Sequence, residues 1–153
     1  MTFETEIPIA DMAIRLACAC GFAFFLGLDR EVRGKAAGLR THMLVSLGSA
    51  AFIIMGMSLL FATAEGDPSA SIDPTRIIDG VIGGIGFLGA GAIIQSGGDI
   101  KGLTTGASVW AAGAIGLACG LGYLPLAALF SGFAVTIVLV LGHFEHKVIE
   151  EKD

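Results

Sequence analysis

Charge is scarce in this chain: nine Lys and Arg and fourteen Asp and Glu in 153 residues, 15% against about 25% in soluble domains. That is too little to cover a water-facing surface, so a soluble protein is excluded. The cations are few, the net charge is -5 and no basic stripe exists, which argues against nucleic acid as a partner. Only four prolines occur and no Gly-x-y period, which excludes collagen. Three cysteines are too few for a disulfide scaffold. Cys18-x-Cys20 would place its thiols on different sides of a helix, a poor chelate, and with Cys119 these read as small core residues. What is abundant is apolar: 54% hydrophobic residues, 23 glycines and a mean hydropathy of +0.82. Disorder is excluded by that content. The composition predicts an all-α, polytopic integral membrane bundle forming one domain over residues 1–153.

A bilayer core of ~30 Å needs ~20 helical residues. Apolar stretches predict spans at about 10–28, 42–64 and 77–95. From Leu103 to Gly142 the chain is apolar for 40 residues, too long for one crossing. The breaker cluster Gly120-Leu121-Gly122-Tyr123-Leu124-Pro125 splits it into spans at about 103–121 and 124–142. No signal peptide is expected, because the N-terminus is acidic at Glu4 and Glu6.

Orientation follows from the cations. Arg30, Arg33, Lys35, Arg40, Lys101, Lys147 and Lys152 fall on one side of a five-span chain, with Arg76 alone opposite and Arg15 inside the first span. The positive-inside rule then places the N-terminus outside and the C-terminus in the cytoplasm.

The glycines predict helix packing. Gly80-xxx-Gly84, Gly102-xxx-Gly106 and Gly116-xxx-Gly120, the last extended by Ala112, are small-xxx-small pairs that let backbones approach in lipid. The densest run carries Gly84, Gly86, Gly89 and Gly91. Gly84-x-Gly86-x-x-Gly89 fits the dinucleotide-binding fingerprint in letters only, since that motif needs a preceding strand in a soluble βαβ unit. A packing helix is the better reading. A weak repeat adds to this: Gly34-xxx-Gly38-Leu39-x-Thr41 returns 64 residues later as Gly98-xxx-Gly102-Leu103-x-Thr105. Each copy would close a cytoplasmic turn and open a span, with Thr41 and Thr105 as N-caps, so two parallel helix hairpins plus a fifth helix are expected.

Ionisable residues inside spans are functional candidates. Asp73-Pro74 reads as N-cap and first residue of the third helix. Arg15 and Asp79 would then lie at similar depth, ~8 Å from an outer end, where they could pair between helices. Local pairs Asp11–Arg15 and Arg76–Asp79, or a snorkelling Arg15, would serve as well. The densest charge is Asp29, Arg30, Glu31, Arg33, Lys35 and Arg40. Its mixed signs suggest a folded polar cap or docking surface as well as a topology signal and headgroup contact. Asp29, Glu31 and Asp99 could together offer hard oxygens to Mg²⁺, so the metal question stays open. His42 and His143 are expected at the interface, and Trp110 in packing. No catalytic constellation and no cofactor motif stand out, so an enzyme is not expected.

Five ordered motifs carry a family resemblance. Gly27-Leu28-Asp29-Arg30-Glu31, Ala37-Gly38-Leu39-Arg40-Thr41, Asp73-Pro74-Thr75-Arg76, Gly84 to Gly91, and Gly102-Leu103-Thr104-Thr105, with Trp110 following, resemble the membrane domain of the MgtC/SapB family. The resemblance implies a multi-pass bacterial inner-membrane protein tied to magnesium-transport operons, growth at low Mg²⁺, virulence or acid tolerance. It also implies a modulator of membrane partners, ATP synthase among them, more than a Mg²⁺ transporter. Asp29 stands where the family usually has Glu. The longer members' soluble C-terminal domain has no room before Asp153. Two functions compete: a non-enzymatic regulator, and a small homo-oligomeric transporter or channel using Arg15, Asp79 or the glycine helix.

Overall fold

Glycines and caps set where each helix starts and stops. A computed structural model describes residues 7–66, 73, 75–96 and 99–142. Five helices run α1 Ile9–Val32, α2 Leu39–Gly66, α3 Thr75–Gly91, α4 Leu103–Gly120 and α5 Leu124–Thr136. A π-helical turn, Ile137–Leu141, continues α5. Four of them have the length and apolarity to cross a bilayer, α5 together with that turn. At 17 residues, α3 spans ~26 Å, just under the ~30 Å core.

Helix α1 runs one turn past the expected end, so Asp29, Arg30 and Glu31 are helical rather than in a loop. Charge does not stop a helix; Gly34 does, at φ 61°. The amides of Gly34 and Lys35 donate back to the carbonyls of Glu31 and Arg30, both at 3.0 Å, a Schellman closure. The same closure ends α4. Gly122, at φ 85°, donates to Cys119 O at 2.9 Å, and Tyr123 donates to Ala118 O at 2.9 Å. The long apolar run therefore breaks at the Gly120–Pro125 cluster.

The two threonines expected as N-caps lie inside their helices. Helix α2 begins at Leu39, three residues before the expected span, and Thr41 is an exposed residue of its first turn. Gly102, at φ 91°, caps α4, and Thr105 is buried in the first turn. The glycines carry the bends, which leaves the hydroxyls for other work. Helix α3 stops at Gly91, short of the expected Gln95. The chain next forms two short antiparallel strands, β1 Ile94–Ser96 and β2 Asp99–Lys101, with Gln95 opposite Ile100.

The start of α3 follows the sequence. Asp73 Oδ1 accepts from Thr75 N at 2.9 Å and from Thr75 Oγ1 at 2.7 Å. Those bonds hold the exposed Asp73 carboxyl below its ordinary range. A carboxylate with a lowered folded value stabilises above its unfolded value, and the effect is lost as pH falls through the folded one. Asp73→Ala should speed hydrogen exchange at Thr75 and Arg76 at neutral pH. The difference should shrink as pH falls through the lowered folded value of Asp73.

Helix α4 is the axis of the bundle and packs against all four other helices. Its glycines measure the separations. A Cβ on Gly106 would stand 2.8 Å from Gly89 O of α3, and one on Gly120 2.7 Å from Ala50 O of α2. One on Gly116 would collide with Ser46 O, and one on Gly113 with the Ile85 side chain. Gly89 faces Gly106 in turn. Gly80, Gly84, Gly86 and Gly91 behave differently: a Cβ on any of them meets nothing within 4 Å. These positions of α3 are open, and α3 buries only Ile85 and Gly89. Trp110, expected in packing, is 47% exposed because it points away from the faces α4 buries.

Side-chain donors to helix carbonyls join the helices, as suits an apolar medium. Ser46 Oγ donates to Ala19 O and Ser131 Oγ to Phe22 O, both at 2.9 Å. Arg15 Nη1 donates to Gly120 O at 2.8 Å.

Candidate functional site

Two ends of the bundle carry the polar residues, and they do not mix. At one end stand Arg15, Asp73, Arg76 and Asp79. Arg15 does not pair with Asp79: its guanidinium caps α4 at Gly120 O and rests on Gly122. The C-terminal carbonyls of α4, where a helix dipole is negative, take the place that the sequence suggested for a carboxylate. Asp79 and Arg76 are exposed. The one ion pair among the described residues is elsewhere, between Arg33 Nε and Asp29 Oδ1 at 2.6 Å.

The other end holds a layered site. The loops joining α1 to α2 and α3 to α4 both lie here, so Arg30, Arg33, Lys35, Arg40 and Lys101 share one end. On its outer layer, Glu31, Gly34, Lys35, Gly38, Arg40 and Thr41 line a polar bowl of about 460 Å³. Glu31 Oε2 accepts from Leu39 N at 2.8 Å, so a carboxylate from α1 caps α2. A Cβ on Gly38 would overlap that carboxylate, so a larger residue there would push Glu31 off its cap. Arg40, Thr41 and Thr104 are exposed.

Beneath the bowl lies a buried polar seam. Arg30 is 4% exposed, and its Nη2 donates to Thr105 Oγ1 at 2.6 Å. Arg30 Nε and Asp29 Oδ2 are buried and have no partner. Ser108 Oγ lies 2.9 Å from Thr105 O. His42 is fully buried, with Nδ1 2.7 Å from Gly38 O and Nε2 3.0 Å from Ser108 Oγ. It is not interfacial, as the sequence suggested: Gly27 of α1 lets α2 come so close that the imidazole is sealed in. His143 lies outside the described residues.

The seam joins α1, α2 and α4 through Arg30, His42, Thr105 and Ser108. Sequence reasoning found Arg30 but missed the partners. One signal was there: His42, Ser46 and Ser49 fall at i, i+4 and i+7, a polar stripe on one face of an apolar helix.

The three-carboxylate Mg²⁺ site is not assembled from what is described. Asp29 is held by Arg33, Glu31 by Leu39 N, and the Asp99 side chain lies outside the described residues. Among the described residues no group of three His, Cys, Asp or Glu could hold a metal ion. The buried Arg30 guanidinium would also repel a divalent cation placed beside Asp29.

An apolar groove of about 470 Å³ runs between α2 and α3. Gly48, Phe52, Gly80, Val81, Gly84 and Leu88 are among its walls, with Arg76 at its rim.

Fold and site together define a polytopic helical membrane protein with a polar seam sealed at one end. The MgtC family profile matches residues 16–147, and the chain belongs to that family. It is 40% identical over 137 residues to YhiD of Escherichia coli K12, named as a proposed magnesium transporter. That match covers 88% of this chain and 61% of the relative. It is 37% identical over 134 residues to Protein MgtC of Brucella abortus, covering 88% of this chain and 52% of the relative. Protein MgtC of Salmonella typhimurium is 35% identical over 137 residues, covering 90% and 53%. The chain thus spans between half and three fifths of the curated relatives it matches. No solved structure matches it.

Proposed function

We propose that this protein is a non-enzymatic, magnesium-linked regulator of the bacterial inner membrane that acts by engaging a membrane-embedded partner. The observation that carries this reading is the open side of α3. Only Ile85 and Gly89 are buried, and Gly48, Gly80 and Gly84 have open space beside an apolar groove. Small residues at open positions suit the close approach of another helix backbone. The cation-rich end is then the cytoplasmic one, so the bowl of Lys35, Arg40 and Glu31 is available to the same partner. A rotary ATP synthase subunit is one candidate by family resemblance. The buried cation of the seam, with its direct hydrogen bonds, argues against a Mg²⁺ path through that point.

Transport is the second reading, favoured by the name of the E. coli relative and by the exposed Asp79 within α3. One preparation separates the two. Purified protein in proteoliposomes should show no selective Mg²⁺ flux above empty vesicles. Rescue of a deletion strain at low magnesium should fall at least tenfold in Gly80→Leu/Gly84→Leu and in Arg40→Ala, at unchanged protein level. Selective flux abolished by Asp79→Asn would overturn the regulator in favour of transport.

A further inference from the structure

The hydrogen bonds of the buried seam cannot all be satisfied while His42 is neutral, and the imidazole is where the count fails. Gly38 O can only accept, so the Nδ1 of His42, 2.7 Å away, carries a proton in every state. A neutral imidazole has one such proton, so Nε2 is then bare and must accept from Ser108 Oγ at 3.0 Å. Yet the same hydroxyl lies 2.9 Å from Thr105 O, which also only accepts. One hydroxyl proton faces two acceptors.

We propose that His42, Ser108 and the Thr105 carbonyl form a buried proton-binding site with two hydrogen-bonded states. In the first, the Ser108 hydroxyl donates to His42 Nε2. In the second, a proton taken from the aqueous phase bonds to Nε2, the new N–H donates to Ser108 Oγ, and the hydroxyl hydrogen turns to Thr105 O. No heavy atom has to move. The site gains one positive charge and one hydrogen bond, to Thr105 O.

The surroundings make the added charge consequential. From α1, Arg30 reaches the Oγ1 of the same Thr105, with Asp29, Glu31 and Arg33 on the same helix end. From α2 itself the charged neighbour in sequence is the exposed Arg40. Helix α4 has no Asp, Glu, Lys, Arg or His between Leu103 and Gly120, and Lys101 just before it is exposed. On α1, Asp29 Oδ2 is buried and without a partner. Proton binding therefore joins an imidazolium to the Arg30 guanidinium through a chain of bonds that runs by way of Ser108 and Thr105. The three helices that meet at the seam sense that change together.

The test reads the imidazole directly. The full chain, with ¹⁵N-labelled histidine, is followed by NMR in detergent micelles from about pH 8 to about pH 5. His42→Gln assigns the His42 signals against those of His143 and His146. The expected result at high pH is a neutral ring with the proton on Nδ1 and a bare Nε2. On acidification Nε2 should gain a proton while the fold persists. Ser108→Ala should keep the proton on Nδ1, held by Gly38, and move only the Nε2 signal. A high-pH ring protonated at Nε2 would overturn the proposal, as would a His42 spectrum unchanged until the protein unfolds. Neither result touches the partner-binding proposal, which the rescue and flux experiments decide separately.

Discussion

Gly116→Leu should abolish folding, and Gly84→Ala should not. The two glycines look alike in sequence, each in a small-xxx-small pair, but their surroundings are opposite. A Cβ on Gly116 meets the Ser46 carbonyl, and Ser49 Cβ stands 2.8 Å from it. The first obstacle is backbone, which cannot rotate away as a side chain can. Overpacking a tight core costs about 1–3 kcal/mol where side chains can shift. Here α2 itself would have to retreat from α4, so the loss should exceed about 3 kcal/mol and approach the whole stability of a small domain. Gly84 has nothing within 4 Å, and Ala is the better helix former by ~1 kcal/mol, so its replacement should be neutral or mildly stabilising. Thermal unfolding in micelles, read by loss of monodisperse protein, checks both. Equal losses from the two variants would refute the packing derived for α4.

The second large effect separates the volume of Arg30 from its charge. Arg30 is buried with a single hydrogen bond, to Thr105, and an unpartnered Nε. A charge-assisted bond contributes about 1.5–3 kcal/mol. Burying a poorly paired ion costs several kcal/mol. The two nearly cancel, so the guanidinium holds little net stability, while its long stem fills space. Arg30→Met should therefore unfold within about 1 kcal/mol of the unaltered protein, whereas Arg30→Ala, which opens a void, should lose about 2–4 kcal/mol. Rescue at low magnesium should fail in both. If Arg30→Met is as unstable as Arg30→Ala, the charge holds the fold and the seam is a structural device.

The elements that sequence reasoning captured are those decided by neighbours along the chain. Asp73 caps α3 because an N-cap needs only the next two residues. The break at Gly120–Pro125 is likewise local. Gly116 and Gly120 also packed as expected, since a glycine pair at helical spacing marks a face wherever that face points. The rest depended on how each helix is rotated, and an apolar helix hides its rotation because every face has nearly the same hydropathy. Gly80 and Gly84 were therefore indistinguishable from Gly116 and Gly120. Thr105 read as a cap because its partner, Arg30, lies 75 residues away. Arg15 reached for the end of α4 and not for Asp79, because a helix's terminal carbonyls are acceptors that no residue letter records. His42 was placed at the interface from its position in the span, and only the closeness permitted by Gly27 buried it.

The hydrogen bonds that tie α1 into the bundle set a timetable for assembly. Arg15 finds its acceptor at Gly120, 105 residues later. The carbonyl of Phe22 is claimed by Ser131, 109 residues later. During synthesis α1 is made long before either partner, so neither bond can form until α4 and α5 have followed. The contacts that seat α1 are therefore complete only once α5 is in place.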